Sequence, residues 1–273
     1  MGDVRILAWP CTDVGRVRSH NEDSYLVDEE IGLYLVADGM GGHAGGAHAS
    51  QACVDIVDRV VRHGLSTIEG LAPQHREGAI RDLLAAAASE ASARIYDQAL
   101  ADERLAGMGT TLTGMLVVGN FAHVVHVGDS RAYLLRGDTA QQLTEDHSWI
   151  NEQVQAGLLT EEEAAASDLK HIITRSVGFE RGVRADVITV RIGLGDAVLL
   201  CSDGLANYTD EAELAALARD HFLADLPRIC VDLANQRGGE DNITVLVTLF
   251  ANDVDQRKSI RDKRRTMVDT VPP

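Results

Sequence analysis

Two aspartates stand where an apolar run gives way to glycine, at Val36-Ala37-Asp38-Gly39 and at Leu200-Cys201-Ser202-Asp203-Gly204, and Asp241 with Asn242 directly precedes a third run that starts at Ile243. One Asp-Gly pair is explained by turn geometry alone, because both residues favour turns for local reasons. Three strand ends that present carboxylates could instead converge. Two carboxylates about 4 Å apart repel by roughly 4 kcal/mol at an effective dielectric near 20, so a convergent set must be protonated or neutralised by a cation. Oxygen ligands without His or Cys select Mg²⁺, Mn²⁺ or Ca²⁺ over Zn²⁺.

Such groups must be carried by rigid elements, and two periodicities supply them. Short β-rich runs at 33–37, 110–118, 122–127, 131–135, 197–201 and 243–250 are bounded by Gly, Asn and Asp and predict strands. Helical spacing occupies 47–61, 78–100, 148–156, 211–218 and 227–235, and several of these stretches adjoin Asp, Ser or Thr able to cap them. The joins at Gly119-Asn120 and Gly128-Asp129 predict antiparallel meanders rather than βαβ crossovers. The expected class is α+β and layered. His123 and His126, three residues apart on a strand, point to opposite faces and are set aside as metal ligands.

The chain has 273 residues, 45% of them apolar, enough for a sizeable core. Lys plus Arg number 25 against 42 Asp plus Glu, a net charge of −17. That field repels nucleic-acid phosphate and anionic membrane surfaces, so neither is an expected partner. No apolar run reaches the roughly 18 residues of a membrane span, and residues 1–5 lack a basic segment followed by an apolar one; a cytoplasmic protein is expected. Cys11, Cys53, Cys201 and Cys230 are too scattered for a disulfide framework and read as buried thiols. Residues 1–251 are expected to form one domain and 252–273 a charged, disordered tail. The tail carries six basic and four acidic residues, which leaves the body at a net −19. Thr266 follows Arg264-Arg265, a setting that suits a kinase substrate as well as a solvated linker.

Eight segments follow one another in order: Asp13 through Arg18-Ser19-His20-Asn21-Glu22-Asp23, Asp38-Gly39-Met40-Gly41-Gly42-His43, Gly109-Thr110-Thr111, Gly128-Asp129-Ser130-Arg131, Leu143-Thr144-Glu145-Asp146-His147-Ser148, Ile173-Thr174-Arg175-Ser176-Val177-Gly178, Ser202-Asp203-Gly204 and Glu240-Asp241-Asn242. Each alone is weak. Together, from about Asp13 to Leu249, they resemble the metal-dependent serine/threonine protein phosphatases (the PPM family, or protein phosphatase 2C) in their compact bacterial form.

The resemblance implies a four-layer αββα sandwich, two central antiparallel sheets flanked by paired antiparallel helices, with the metals in a cleft at one end. It implies that Asp38 bridges two Mn²⁺ or Mg²⁺ ions, that Gly39 lends its carbonyl, that Glu22 serves one ion and that Asp203 and Asp241 hold the other. Asp129 matches the ligand of a weaker third site, while Asp23 and Asn242 stand behind the ligands. Arg18 matches the guanidinium that grips the phosphoryl oxygens, and His43 the acid that protonates the leaving alkoxide, a task suited to a pKa near 6.5. The reaction implied is hydrolysis of phosphoserine and phosphothreonine on proteins by a metal-activated water, in a monomer that opposes, and acts on, a bacterial serine/threonine kinase.

Two other readings compete. The stretch Gly39-Met40-Gly41-Gly42-His43-Ala44 fits G-x-G-x-x-A between a strand and a helix, a dinucleotide fingerprint, yet Asp38 adjoins the first glycine and Asp58, about twenty residues on, falls in a helical pattern. An inactive relative would bind phosphoproteins without turnover, although every acidic position of the pattern is filled here. Between about 143 and 178 the resemblance implies a mobile flap that chooses substrates, helical at 148–155 and near 161–166. Ser167-Asp168-Leu169-Lys170-His171 departs there from the His-Pro and Asn that compact bacterial members often carry.

Overall fold

The apolar runs pair into two antiparallel sheets in this computed structural model, which describes residues 5–42, 44–160, 163–164, 167, 169 and 172–251. One sheet has the order β1 (Arg5–Asp13), β11 (Ile243–Ala251), β10 (Ala197–Cys201), β7 (Arg131–Arg136), β8 (Thr139–Gln142). The other runs β2 (Asp23–Asp28), β3 (Leu33–Met40), β5 (Leu112–Val118), β6 (Phe121–Val127), β9 (Asp186–Arg191), with the short β4 (Gly109–Thr110) on β3.

Strand side chains alternate between faces, and β3 shows what each face meets. Tyr34 and Val36 enter the layer between the sheets with Met115, Val124, Leu134, Leu200, Leu246 and Phe250. Leu33, Leu35 and Ala37 face outward onto Ala49, Cys53, Leu84, Ala88 and Ile95 of α1 (Ala44–Glu69) and α2 (Pro73–Ala101). On the far side Tyr133, Leu199, Cys201, Val245 and Val247 pack against Leu214, Leu226, Cys230 and Val231 of α5 (Glu211–Asp220) and α6 (Leu226–Gln236). Central strands are thus covered on both faces, which is why their sequences read as near-continuous apolar runs. Each fully buried Val or Leu contributes about 1.5–3 kcal/mol. The expected α+β layered sandwich is the observed architecture.

Four paired segments, β1, β2, β8 and β9, were not among the expected strands. β1 is an edge strand, where Pro10 costs no ladder hydrogen bond. β2 and β9 are half-buried, without a continuous apolar run. One expectation is corrected. Gly119-Asn120 closes the β5–β6 hairpin, but Gly128-Asp129-Ser130 carries the chain from β6 in one sheet to β7 in the other. Gly128, at φ 111°, lies against the Thr111 side chain. The Ser130 hydroxyl sits 2.8 Å from that of Thr111, while Thr113 donates to the Ser130 carbonyl at 3.0 Å. This buried hydroxyl seat turns the chain across the sandwich.

The four thiols are free, three of them buried. Among the described residues no helix is long and apolar enough to cross a membrane. The helix α3 (Trp149–Gln155) starts at Ser148, whose hydroxyl accepts from the Asn151 amide at 3.3 Å. His43, most of 161–166 and the tail with Thr266 lie outside the described residues.

Candidate active site

Register brings the chemical residues to one end of the sandwich. Asp23 opposes Asp38 across β2 and β3, and Cys201, two residues before Asp203, opposes Val245 near the start of β11. The contact between these elements is tight: a Cβ on Gly204, in α4 (Asp203–Ala206), would collide with the Asn242 carbonyl, and one on Gly39 would strike the Gly46 and Glu22 carbonyls. The result is a cleft of about 1110 Å³ lined by Arg18, Glu22, Asp38, Gly39, Asp129, Asp203, Asp241 and Asn242. Residues from five separate parts of the sequence meet there.

Asn242 ties the N-terminal loop to this end. Its side-chain Oδ1 accepts from the Glu22 amide at 2.8 Å, and its side-chain NH₂ donates to the backbone carbonyls of Val14 and His20 at 3.0 and 2.9 Å. All of its amide's main hydrogen-bonding directions are thereby used. Asp38 is fixed through its backbone: its amide donates to the Thr111 hydroxyl, and its carbonyl accepts from the Thr110 hydroxyl and the Thr111 amide, each at 2.9 Å. Ser202 donates to Asp23 Oδ2 at 2.9 Å, Asn207 to Asp203 Oδ2 at 3.2 Å, and the Asn242 amide to Asp241 Oδ1 at 2.8 Å.

The glycine-rich turn has a different task from the one the dinucleotide fingerprint would give it. Gly46 leaves room for the Glu22 carboxylate, which a Cβ there would overlap, and Gly41, at φ 123°, packs on Met108. The strand before this turn has only antiparallel neighbours, so the βαβ unit that a dinucleotide site requires is missing here. Asp58 lies within α1, as expected.

Burial and mutual repulsion dominate the electrostatics. Burial pushes Asp38 well above the carboxylate range, and the charges of Asp23, Asp203, Asp129 and Asp241 push it further. Asp23 is raised to about 7, first by burial and then by Asp203 and Asp241, against the hydroxyls of Thr244 and Ser202. Asp129 is likewise raised to about 7 by burial, Asp203 and Asp146. Asp23 Oδ1 is buried with no hydrogen-bond partner. Oxygen donors that resist ionisation where they stand suit a hard dication, which would favour their charged forms. Among the described residues no three acidic, His or Cys side chains close to the spacing of a finished ion cage. The carboxylates share a cleft, and Arg18 pairs with Asp241 at 2.8 Å.

Under the cleft runs a polar network that sequence reasoning missed. Thr113 and His126 Nδ1 are 2.9 Å apart, and His126 Nε2 lies 3.0 Å from the Glu145 carbonyl. The Gly128 amide donates to His147 Nδ1 at 3.1 Å, and His147 Nε2 meets Asp186 at 3.2 Å. Asp186 also takes Arg175, and Arg131 forks onto Asp146 at 2.6–3.1 Å. His123, set aside with His126 in the sequence, meets Thr189 at 3.1 Å. Buried polar residues inside apolar strands were the available signal, since such groups need partners.

A family model described as Protein phosphatase 2C matches residues 15–236. The serine/threonine phosphatase stp of Listeria innocua is 37% identical over 242 residues, covering 86% of this chain and 92% of that protein. The Mycobacterium tuberculosis serine/threonine phosphatase PstP/Ppp superposes with a TM-score of 0.79 at 33% identity, covering 91% of this chain and all of that one. The catalytic domain of PstP in complex with two manganese ions gives a TM-score of 0.76 at 30% identity, over 92% of this chain and 100% of that one. With fold, cleft and relatives in agreement, this chain belongs to the protein phosphatase 2C family and is a protein serine/threonine phosphatase.

Proposed function

We propose that the chain removes phosphate from serine and threonine by direct attack of water, in a cleft whose carboxylates hold divalent cations, and that it reverses the work of a serine/threonine kinase. The observation that carries this reading is the gathering of Asp38, Asp129, Asp203, Asp241 and Arg18 along one cleft. Asp38, Asp203 and Asp241 would hold two ions with Glu22 and the Gly39 carbonyl, and Asp129 would serve a third. Bound Mn²⁺ or Mg²⁺ supplies positive charge for the phosphoryl oxygens and lowers the pKa of water from about 15.7 toward neutrality. Without it a chain of net charge −17 would repel its own substrate.

The protein's side chains do the rest. Arg18 is half exposed in its pair with Asp241, and an ion pair of that kind holds by only about 0.2–1 kcal/mol. Its guanidinium is therefore free to exchange the carboxylate for two phosphoryl oxygens, which its planar fork fits. Asp23, held by Ser202, supports Asp38 from behind. Asn242 keeps the Glu22 loop in place. His43 is the candidate to return a proton to the departing alkoxide. In this reading the chain acts as a monomer.

Hydrolysis of p-nitrophenyl phosphate and of a phosphothreonine peptide tests the proposal, each with Mn²⁺, with chelator, and with the Asp203→Asn variant. Turnover should need Mn²⁺ and fall with the substitution. A binding module would retain the phosphopeptide without turnover, and turnover unaffected by chelator would contradict the reading.

A further inference from the structure

The cleft has two unlike walls. Besides the carboxylates, residues 173–184 bring Arg175, Phe179 and Arg184 to the same cleft. Phe179 is 67% exposed, in a chain with only four phenylalanines. Its exposure is not looseness, because the turn that carries it is pinned on both sides. The buried Ser92 hydroxyl of α2 accepts from the Gly178 amide at 2.9 Å and donates to the Glu180 carbonyl at 2.7 Å. Gly178, at φ 92°, fits against Ile95 with no space for a Cβ. Val177 exchanges hydrogen bonds with Thr110 at 2.8 and 3.0 Å, and Thr110 stands opposite Gly39 with its hydroxyl on the Asp38 carbonyl. The backbone that carries this aromatic residue is thus fixed beside the strand that bears Asp38.

The charges on this wall are also unequal in their commitments. Arg175 is engaged by Asp186 at 3.2 Å, whereas Arg184 is exposed and has no ion-pair partner among the described residues. The net charge of −17 disfavours acidic peptides at long range, but that field is screened beyond about 8 Å at physiological salt. At contact distance Arg184 offers a cation on a wall whose other charges are Arg175, held by Asp186, and Glu180.

Resting on the proposed function, we propose that residues 177–184 form a substrate subsite. Phe179 packs an apolar side chain next to the phosphorylated residue, and Arg184 pairs an acidic group close by. Aromatic and arginine anchors dominate binding energy at protein surfaces, and a turn that is already ordered costs little to engage.

The test is kcat/KM for phosphothreonine peptides that carry Leu or Gly, and Asp or Lys, beside the phosphoresidue. Each preference is read as a ratio between two peptides on the same enzyme, so a general loss of activity cancels. The wild-type enzyme should prefer Leu over Gly by about 10-fold and Asp over Lys by about 3- to 5-fold. Phe179→Ala should erase the first ratio, Arg184→Ala the second, and Arg184→Glu should turn the second toward Lys. A wild-type enzyme indifferent to these residues, or ratios that survive the substitutions, would overturn the subsite. Failure of the wild-type enzyme to hydrolyse p-nitrophenyl phosphate would instead remove the hydrolytic reading on which it rests.

Discussion

Two buried polar regions adjoin at the cleft, and they meet the cost of burial in opposite ways. In the network of Thr111, Thr113, Ser130, His126 and His147 the chain supplies its own partners. Burial, helped by the charge of His147, pushes His126 down to about 3, so its ring is neutral and asks for no counterion. Directly beside it, where Asp129 adjoins Ser130 and the Asp38 amide bonds Thr111, Asp23 and Asp129 are raised to about 7 and Asp38 well above the ordinary range, because burial sets carboxylates against one another. The first region is scaffold, complete as folded. The second is complete only with charge brought from outside, which makes it the part of the molecule built for a ligand.

The largest test of this contrast is Asp38→Asn. Activity should fall by about 10²–10³-fold or more, as when a group that stabilises transition-state charge is removed. In chelator the same variant should unfold at higher urea than wild type, since it deletes a buried carboxylate under repulsion. A parallel loss of stability would break the contrast. Thr113→Val should do the reverse: it strands His126 Nδ1 and the Ser130 carbonyl and costs about 1–3 kcal/mol, equally with and without Mn²⁺, as urea titrations would show.

The pH dependence sharpens the same point. Asp23 and Asp129 have folded values near 7, above the ordinary 3.8, so the metal-free fold binds protons more readily than the unfolded chain. It loses stability as pH rises from about 4 through 7. His126, depressed from 6.5 to about 3, acts oppositely, and its contribution is present above about 6.5 and lost as pH falls. Mn²⁺ removes the carboxylate slope alone. The Tm gained on adding Mn²⁺ should therefore grow between about pH 5 and pH 7.5, and a gain flat with pH in thermal scans would contradict it.

Arg18→Lys should give the smallest change. The exposed Arg18–Asp241 pair limits its effect on stability to about 1 kcal/mol or less. Loss of the planar fork should appear as a raised KM for phosphopeptides in steady-state kinetics.

The carboxylates were legible because their signature is local: Asp38 and Asp203 each close an apolar run before a glycine, and Asp241 opens one. The central strands and the longer helices were legible for the same reason. β1 and β2 were not, since partial burial and, in β1, Pro10 remove the simple alternation that marks a strand. The Gly128-Asp129 crossing was misread as a hairpin because its direction depends on the hydroxyls of Thr111 and Thr113, more than a dozen residues away. His147 and Asn242 act through partners about 19 and 220 residues distant in sequence, and no local pattern encodes that. The stretch Gly39-Met40-Gly41-Gly42-His43-Ala44 fitted two chemistries in sequence, and the Glu22 carboxylate packed on Gly46 just beyond it shows which neighbour this turn admits.

The central claim is that Asp38, Asp129, Asp203 and Asp241 gather to hold divalent cations. Calorimetric titration of Mn²⁺ into the wild-type chain and into Asp38→Asn tests it most directly. Saturable binding by the wild type, weakened by about 100-fold or more in the variant, is the predicted result. Superimposable isotherms, or no binding by the wild-type chain, would contradict it.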